Sequence, residues 1–141
     1  MQVENILQSK GRAVHTVAAD TTLADAVTML TERRIGAVVV LDGKKVAGIL
    51  SERDVVRHLG KDWAALASRP VRDVMTSAVV TTGRYATVTE IMEQMTERRI
   101  RHVPVVEGGE LVGIVSIGDV VKRKIEETEQ EATALKEYIA S

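Results

Sequence analysis

The chain contains two copies of one sequence unit. The pentapeptide TERRI occupies Thr31–Ile35 and returns at Thr96–Ile100, 65 residues later. At that offset Thr16–Leu59 aligns with Thr81–Lys124 without a gap, and 16 of the 44 paired residues are identical. A unit of about 45–50 residues buries too little surface to be stable alone. We therefore expect the two copies to share one core.

Each copy predicts the same order of elements, β-α-β-β-α, which makes the fold class α+β. The first helix opens with a capping box and has apolar residues at i, i+3, i+4 and i+7, typical of one buried helix face. A hairpin with a tight glycine turn follows, and its continuous apolar runs indicate strands buried on both sides. The predicted strands are Val14–Val17, Ala37–Leu41 and Val46–Leu50, then Val79–Thr82, His102–Val106 and Leu111–Val115; the predicted helices begin at Thr22 and Thr87 and cover Glu52–Leu59 and Ile117–Ile125.

Two segments lie outside the repeated unit. Residues 61–76 connect the copies and contain a predicted helical turn at Arg72–Met75. Residues 126–141 are rich in Glu, Ala and Lys without Pro or Gly, which predicts a C-terminal helix. The expected organisation is a pseudo-symmetric pair, residues 1–66 and 67–126, followed by a helical tail at 127–141.

Composition and charge exclude several classes of function. The net charge is −1 and there are only three aromatic residues, so neither a basic nor a base-stacking nucleic-acid surface is expected. Cysteine is absent, and the three histidines lack metal-ligand spacing, so no metal site is expected. No catalytic triad order or Walker pattern occurs, so we do not expect an enzyme. With no membrane span or secretory signal in the sequence, a cytoplasmic location is expected.

The most informative motif ends each copy. It reads GILSERD over Gly48–Asp54 and GIVSIGD over Gly113–Asp119. A strand here leads directly into a helix whose N-terminus can hold a phosphate, and an Asp in its first turn can accept hydrogen bonds from vicinal hydroxyls, as on a ribose. The two glycines would let a planar group approach the backbone.

The same Ser-x-x-Asp pattern is also a capping box, which this chain has at all four repeat helices. Three features favour ligand sites over capping alone. The acid is Asp in both copies, although the longer Glu reaches back more easily. Gly118 lies in the first turn of its helix, where it costs about 1 kcal/mol relative to Ala. The motif also occurs twice in the same context.

Together these motifs resemble tandem CBS domains, a pair known as a Bateman module, over Ile6 to Ile125. The run from Arg101 to Val106 (RHVPVV) and Val71–Thr76 (VRDVMT) also resemble family segments, and Ser51–Arg57 resembles small stand-alone bacterial members. The resemblance implies a non-catalytic regulatory module, an energy or redox sensor that binds AMP, ADP, ATP or NAD(H) in clefts between its repeats. It also implies a homodimer and an effector protein on another chain. The alternative is an interaction scaffold with vestigial ligand sites.

The resemblance assigns roles to individual residues. Asp54 and Asp119 would bind ribose hydroxyls, with Ser51 and Ser116 nearby. Adenine would lie in an apolar slot formed by Val14, Ile35, Gly36 and Ala37 in the first copy, and by Val80, Ile100, Arg101 and His102, next to Pro104, in the second. Lys10 and Thr76, which precede the first strands, and Arg53 would meet phosphates.

The copies differ where phosphate binding is expected. Arg53 in the first copy is replaced by Gly118 in the second, which suggests that the first site favours the more phosphorylated ligand. The expected dimer contact uses the second-helix faces around Val55, Val56, Val120 and Val121.

Overall fold

The computed structural model describes every residue from Met1 to Ser141. The helices and strands alternate largely as the repeat predicts. In chain order the elements are α1 (Val3–Lys10), β1 (Thr16–Ala18), α2 (Leu23–Arg33), β2 (Ala37–Asp42), β3 (Lys45–Ser51), α3 (Glu52–Leu59), α4 (Trp63–Ala67), a 3-10 turn (Val71–Asp73), α5 (Val88–Arg98), β4 (His102–Glu107), β5 (Glu110–Ser116) and α6 (Ile117–Ala140).

The chain forms two compact units that exchange their leading segments, which are residues 1–12 before the first copy and residues 71–76 before the second. One unit combines Met1–Arg12 with Thr81–Glu107 and Val112–Ser141, which is most of the second copy. The other combines Ala13–Val80 with Gly108–Leu111 and contains the first copy. The segment before each copy therefore packs with the other copy, so compact units and chain-order repeats have different boundaries.

Backbone hydrogen bonds show how each leading segment is attached. In the unit that contains most of the second copy, Val3 N donates to Ala86 O at 2.8 Å, just before α5. In the unit that contains the first copy, Val71 N donates to Thr21 O at 2.7 Å, just before α2. The two attachments are equivalent, since Ala86 and Thr21 occupy matching positions of the two copies.

The buried apolar residues form two clusters, one in each unit, rather than the single shared core expected from the size of the repeats. The exchanged segment completes each cluster: Val3, Ile6 and Leu7 join the elements of the second copy. Val71 and Val74 join those of the first. A repeat that is too small to bury a core thus gains the missing apolar surface from a segment that is not its own.

The first copy has a complete three-stranded sheet. Strand β2 is central; β1 pairs with it in parallel and β3 in antiparallel. The second copy has only the β4–β5 pair, because its predicted first strand is reduced to a single parallel bridge between Thr82 and Val105. The prediction of a strand over Val79–Thr82 is therefore wrong in extent, although its parallel direction is kept.

The first helices of both copies begin where the capping pattern predicts. Thr22 and Thr87 accept hydrogen bonds from the backbone N–H of the third helical residues, Asp25 and Glu90. Each helix ends at an arginine in left-handed conformation, Arg34 at φ 53° and Arg99 at φ 54°. Both arginines are exposed and end the helix before the following strand.

Three helical features differ from the prediction. Helix α1 was not expected, nor was α4 in the connecting segment. The predicted second helix of the second copy and the predicted tail helix form one continuous helix of 24 residues, α6. No residue between Ile117 and Ala140 breaks this helix, because the stretch has no proline and its single glycine, Gly118, lies in the first turn. None of the helices combines the length and apolar character needed to cross a membrane.

Candidate functional site

The first candidate site is the junction of β3 and α3. Asp54 is the only buried charged residue, with 6% of its surface exposed. Its Oδ2 accepts hydrogen bonds from Ser51 N at 2.9 Å and Ser51 Oγ at 3.1 Å, and Asp54 N donates to Ser51 Oγ at 3.3 Å, which completes the expected capping box. Its Oδ1 accepts one from Thr76 Oγ1 at 3.1 Å, so the leading segment of the second copy contributes to this junction.

The second candidate site is the junction of β5 and α6. Ser116 and Asp119 form the same capping box, with Ser116 N donating to Asp119 Oδ2 at 2.9 Å. Lys10 Nζ donates to the same oxygen at 2.7 Å and to Ile114 O at 3.0 Å. The leading segment thus supplies a hydroxyl at the first junction and an ammonium group at the second.

Lys10 affects the pKa of Asp119. Burial alone would raise the pKa of Asp119, but the hydrogen bond and positive charge of Lys10, together with the bonds from Ser116, outweigh that effect. The pKa of Asp119 therefore lies below its usual value. The bonds from Lys10 Nζ and Ser116 N both fall on Oδ2, and a carboxylate has acceptor capacity for about four hydrogen bonds.

The backbone places the start of the second strand of each copy beside its junction. Glu52 N, in the first turn of α3, donates to Gly36 O at 3.0 Å, and Ala37 pairs with Ser51. In the second copy Ile117 N donates to Arg101 O at 2.8 Å. Part of each predicted apolar slot is thus adjacent to the Ser and Asp of the same copy.

The other predicted slot residues are divided between the two compact units. Val14 and Ile35 are half-buried residues of the first copy's unit; Val14 lies shortly before β1, and Ile35 follows Arg34, the residue that caps α2. Ile100 and His102 flank Arg101, and Pro104 is buried in β4, where its carbonyl accepts from Thr82 N at 3.0 Å. Val80, predicted to line the same slot, belongs to the other compact unit.

The expected contrast in charge between the two copies needs correction. Arg53 is exposed in the first turn of α3 and forms no ion pair within the chain. Lys10, expected to meet a phosphate from its place before the first strand, lies in the second junction, on Asp119. Because the leading segments are exchanged, the second junction holds a cation of its own and is not limited to backbone N–H groups.

The role expected for Gly48 and Gly113 also needs correction. A Cβ at Gly48 would lie 2.8 Å from Met75 Cγ and 2.8 Å from Thr76 O, and one at Gly113 would lie 2.6 Å from Leu7 Cδ2. The leading segments occupy the space that the sequence analysis assigned to a planar ligand. Gly118 differs, since a Cβ there would meet only Ser116 Oγ, at an ordinary 3.7 Å.

The exchange of leading segments is the feature that sequence reasoning missed. A signal for it exists: Val3 and Val71 make equivalent contacts but are 68 residues apart, whereas the copies align at 65. An alignment without gaps cannot match the leading segments. Three more residues separate Val3 from Thr16, where the first copy begins, than separate Val71 from Thr81, where the second copy begins.

The structure brings no group of three or more His, Asp or Glu side chains together in a way that could hold a metal ion. At both junctions the groups present are a carboxylate, a hydroxyl, the start of a helix and a nearby polar side chain, which offer hydrogen bonding and charge.

The family model of the CBS domain matches the chain twice, at residues 6–61 and 71–126. The chain belongs to the CBS-domain family. It carries a tandem CBS pair, the arrangement that the repeat and the two junction motifs indicate. The two matches together cover most of the chain, including both junctions.

Relatives and solved structures agree with this assignment. A mitochondrial CBS-domain-containing protein of Arabidopsis thaliana is 34% identical over 97% of this chain and 71% of its own length. The crystal structure of a CBS-domain-containing protein of Agrobacterium tumefaciens is 44% identical, with a TM-score of 0.83, and covers 88% of this chain and 99% of that one. A CBS-domain protein of Pyrobaculum aerophilum, solved in complex with AMP, is 28% identical with a TM-score of 0.74, over 84% of this chain and 89% of that one.

Proposed function

We propose that this CBS pair is a non-catalytic regulatory module that binds adenosine-containing ligands, AMP, ADP, ATP or NAD(H), at its two junctions. The ligand state would be transmitted to an effector protein on another chain. In this proposal the module works as a homodimer in the cytoplasm. The observation that carries it is the repeated junction, where a Ser and an Asp stand at the start of a helix in both copies.

The junction chemistry suits a nucleoside phosphate. Helix N-termini favour anions, which fits a phosphate at the start of α3 or α6. Asp54 and Asp119 can accept hydrogen bonds from ribose hydroxyls, and Arg53 and Lys10 provide one cation at each junction. The AMP complex of the Pyrobaculum relative supports the adenosine part of the proposal.

Each carboxylate already has protein partners, so a ligand must share or replace them. Thr76 holds Asp54 through a neutral hydroxyl, whereas Lys10 holds Asp119 through a charged amine. A ligand phosphate would offer Lys10 an alternative anion, which would release Asp119 for the ribose. We therefore propose that the second site prefers a phosphorylated ligand over free adenosine.

Calorimetric titration tests the proposal directly. The wild-type chain is titrated with AMP, ATP, NADH and S-adenosylmethionine, followed by the variants Asp54→Asn and Asp119→Asn. Each variant should lose one binding event or weaken it by about 1.5–3 kcal/mol, roughly tenfold to a hundredfold. Glu90→Gln is the matched control, because Glu90 is a capping-box carboxylate at the start of α5 and belongs to neither junction motif.

The same titration separates the alternatives. If no adenosine ligand binds the wild-type chain, the scaffold interpretation is favoured and the junction motifs serve only as helix caps. If ligands bind but both Asp variants behave like Glu90→Gln, binding lies elsewhere and the proposed site is wrong. Arg53→Ala provides a further measurement, since its effect on ATP should shrink as salt rises if the guanidinium meets phosphate.

The homodimer contact expected from the sequence needs one revision. Val120 is fully buried in its own unit and cannot contact a second chain. Val56 and Val121 are exposed and remain candidates for that contact.

A further inference from the structure

The last part of α6 is a long amphipathic helix with nothing packed on it. From Thr128 to Ala140 every residue is exposed, and Leu135 and Ile139 are exposed by 59% and 73%. A helical segment of this length is marginal in water when it stands alone, even with good helix formers. Exposed aliphatic residues on such a helix indicate a surface that is completed by another molecule.

The large exposed aliphatic residues of α6 fit a heptad pattern whose two middle positions hold Thr128 and Ala132, while the exposed Tyr138 lies outside it. The positions of this pattern recur at alternating intervals of four and three residues, as the a and d positions of a coiled coil do. The stripe consists of Val121, Ile125, Thr128, Ala132, Leu135 and Ile139. A repeat of 3.5 residues keeps these side chains on one seam, which is the geometry for pairing with another helix.

The stripe is not the side on which α6 contacts its own unit. That side carries Val120, which is buried, Arg123, which donates to Asn5 O, and Glu127, which pairs with the N-terminus of Met1 at 3.7 Å. These residues occupy other heptad positions. The stripe is therefore free along its length for a partner helix.

The charges beside the stripe identify the occupant. In a parallel, in-register pair each g position faces the e position five residues on in the other chain. Lys124 would then face Glu129 of the second copy, and Glu131 would face Lys136 of the second copy. Both contacts join opposite charges, and the twofold axis repeats them. Within its own chain, Lys124 Nζ makes only a long hydrogen bond of 3.5 Å to Thr89 Oγ1, so pairing with a second copy would break only this weak contact.

An antiparallel pair aligned over the whole stripe has the reverse electrostatics. It would bring Glu129 against Glu129 and Glu131 against Glu131 of the second copy, and Lys122 against Lys136. Like charges at these positions oppose pairing. We propose that α6 pairs with α6 of a second copy as a parallel, in-register coiled coil along the Val121–Ile139 stripe.

Cysteine cross-linking tests this pairing cleanly, because the chain has no cysteine of its own. Ala132→Cys places a thiol on the stripe, and Ala134→Cys places a matched thiol on the side facing away from it. A parallel, in-register pair brings the two thiols of the Ala132→Cys variant within disulfide distance but keeps those of the Ala134→Cys variant apart. The full-length chain with Ala132→Cys should therefore form a linked dimer at least about tenfold faster under mild oxidation.

Two further variants connect the result to the stripe and its charges. Leu135→Glu in the Ala132→Cys chain should abolish the cross-link. Lys136→Glu should slow it, and Glu131→Lys added to Lys136→Glu should restore it, because the second change recreates the opposite-charge contact. Equal rates for the two cysteine variants, no linked dimer, or no rescue by the charge reversal would overturn the proposal.

Discussion

Lys10 and Asp119 are 109 residues apart in sequence and form the closest charged contact at either junction, 2.7 Å. Both side chains are partly shielded, at 33% and 22% exposed. Both residues were predicted as site residues, Lys10 for phosphate and Asp119 for ribose, but their contact with each other was not predicted. Nothing in the local pattern reveals the pairing, because it depends on which copy α1 packs against.

The lowered pKa of Asp119 predicts a pH-dependent contribution to stability. A carboxyl group whose pKa falls on folding stabilises the folded state above its unfolded pKa, and this stabilisation is lost as the pH falls through the lower folded value. Lys10→Met should therefore lower the free energy of unfolding by about 0.5–1 kcal/mol at pH 7. The difference from wild type should begin to shrink below the pKa of an unfolded Asp, about 3.9, and should be gone once the pH is below the lowered pKa of folded Asp119.

Urea unfolding at several pH values measures this effect, with Asp119→Asn as the reference background. In that background Lys10→Met should change stability little and show no pH dependence, since the charge pair is already gone. A loss of stability that persists unchanged at low pH would assign the role of Lys10 to the packing of its aliphatic stem.

The elements illustrate what a single sequence reveals and what it does not. Helices α2, α3 and α5 and the hairpin strands were predicted closely, because their caps, periodicity and turn glycines are local signals. The 3-residue strand β1 and the single bridge at Thr82 depend on pairing with β2 and β4, so their extent was not predictable. Helix α1 was missed for the same reason, since Val3, Ile6 and Leu7 are buried against residues of the second copy.

The candidate site was predictable to a similar degree. The Ser and Asp of both junctions were found, because a strand followed by Ser-x-x-Asp is a local pattern. The partners Thr76 and Lys10 were found as residues but not as partners. The two glycines were identified as close-approach positions, but the approaching group is the protein's own leading segment.

Packing of the leading segments on β3 and β5 predicts the effect of alanine at these glycines. Gly48→Ala should destabilise by about 1–3 kcal/mol, because its Cβ meets a backbone carbonyl, Thr76 O, that cannot move aside. Gly113→Ala should cost less, since Leu7 Cδ2 belongs to a side chain that can adjust. Gly118→Ala is the control: its Cβ has space, and the helix should gain up to about 1 kcal/mol. Thermal unfolding of the three variants measures this order, and equal losses at all three positions would contradict it.

At the scale of the whole molecule, each leading segment stabilises the copy that it does not precede. Val3 and Val71 are both fully buried valines, and each lies in the core cluster of one unit. They are a matched pair for testing the exchange, because the same substitution removes the same two methyl groups. If stability followed chain order, Val3 would support the first copy and Val71 the second.

Val3→Ala and Val71→Ala should each destabilise by about 2 kcal/mol, from the lost methyl groups and the cavity left behind. The exchange predicts that Val3→Ala speeds amide hydrogen exchange in α5 and β4, far away in sequence, while β1 and α2, which follow it directly, change less. Val71→Ala should do the reverse, speeding exchange in α2 and β2 more than in α5. Native-state hydrogen exchange measured by mass spectrometry resolves these segments. If each variant instead affects the copy that follows it in the chain, the exchanged arrangement is wrong.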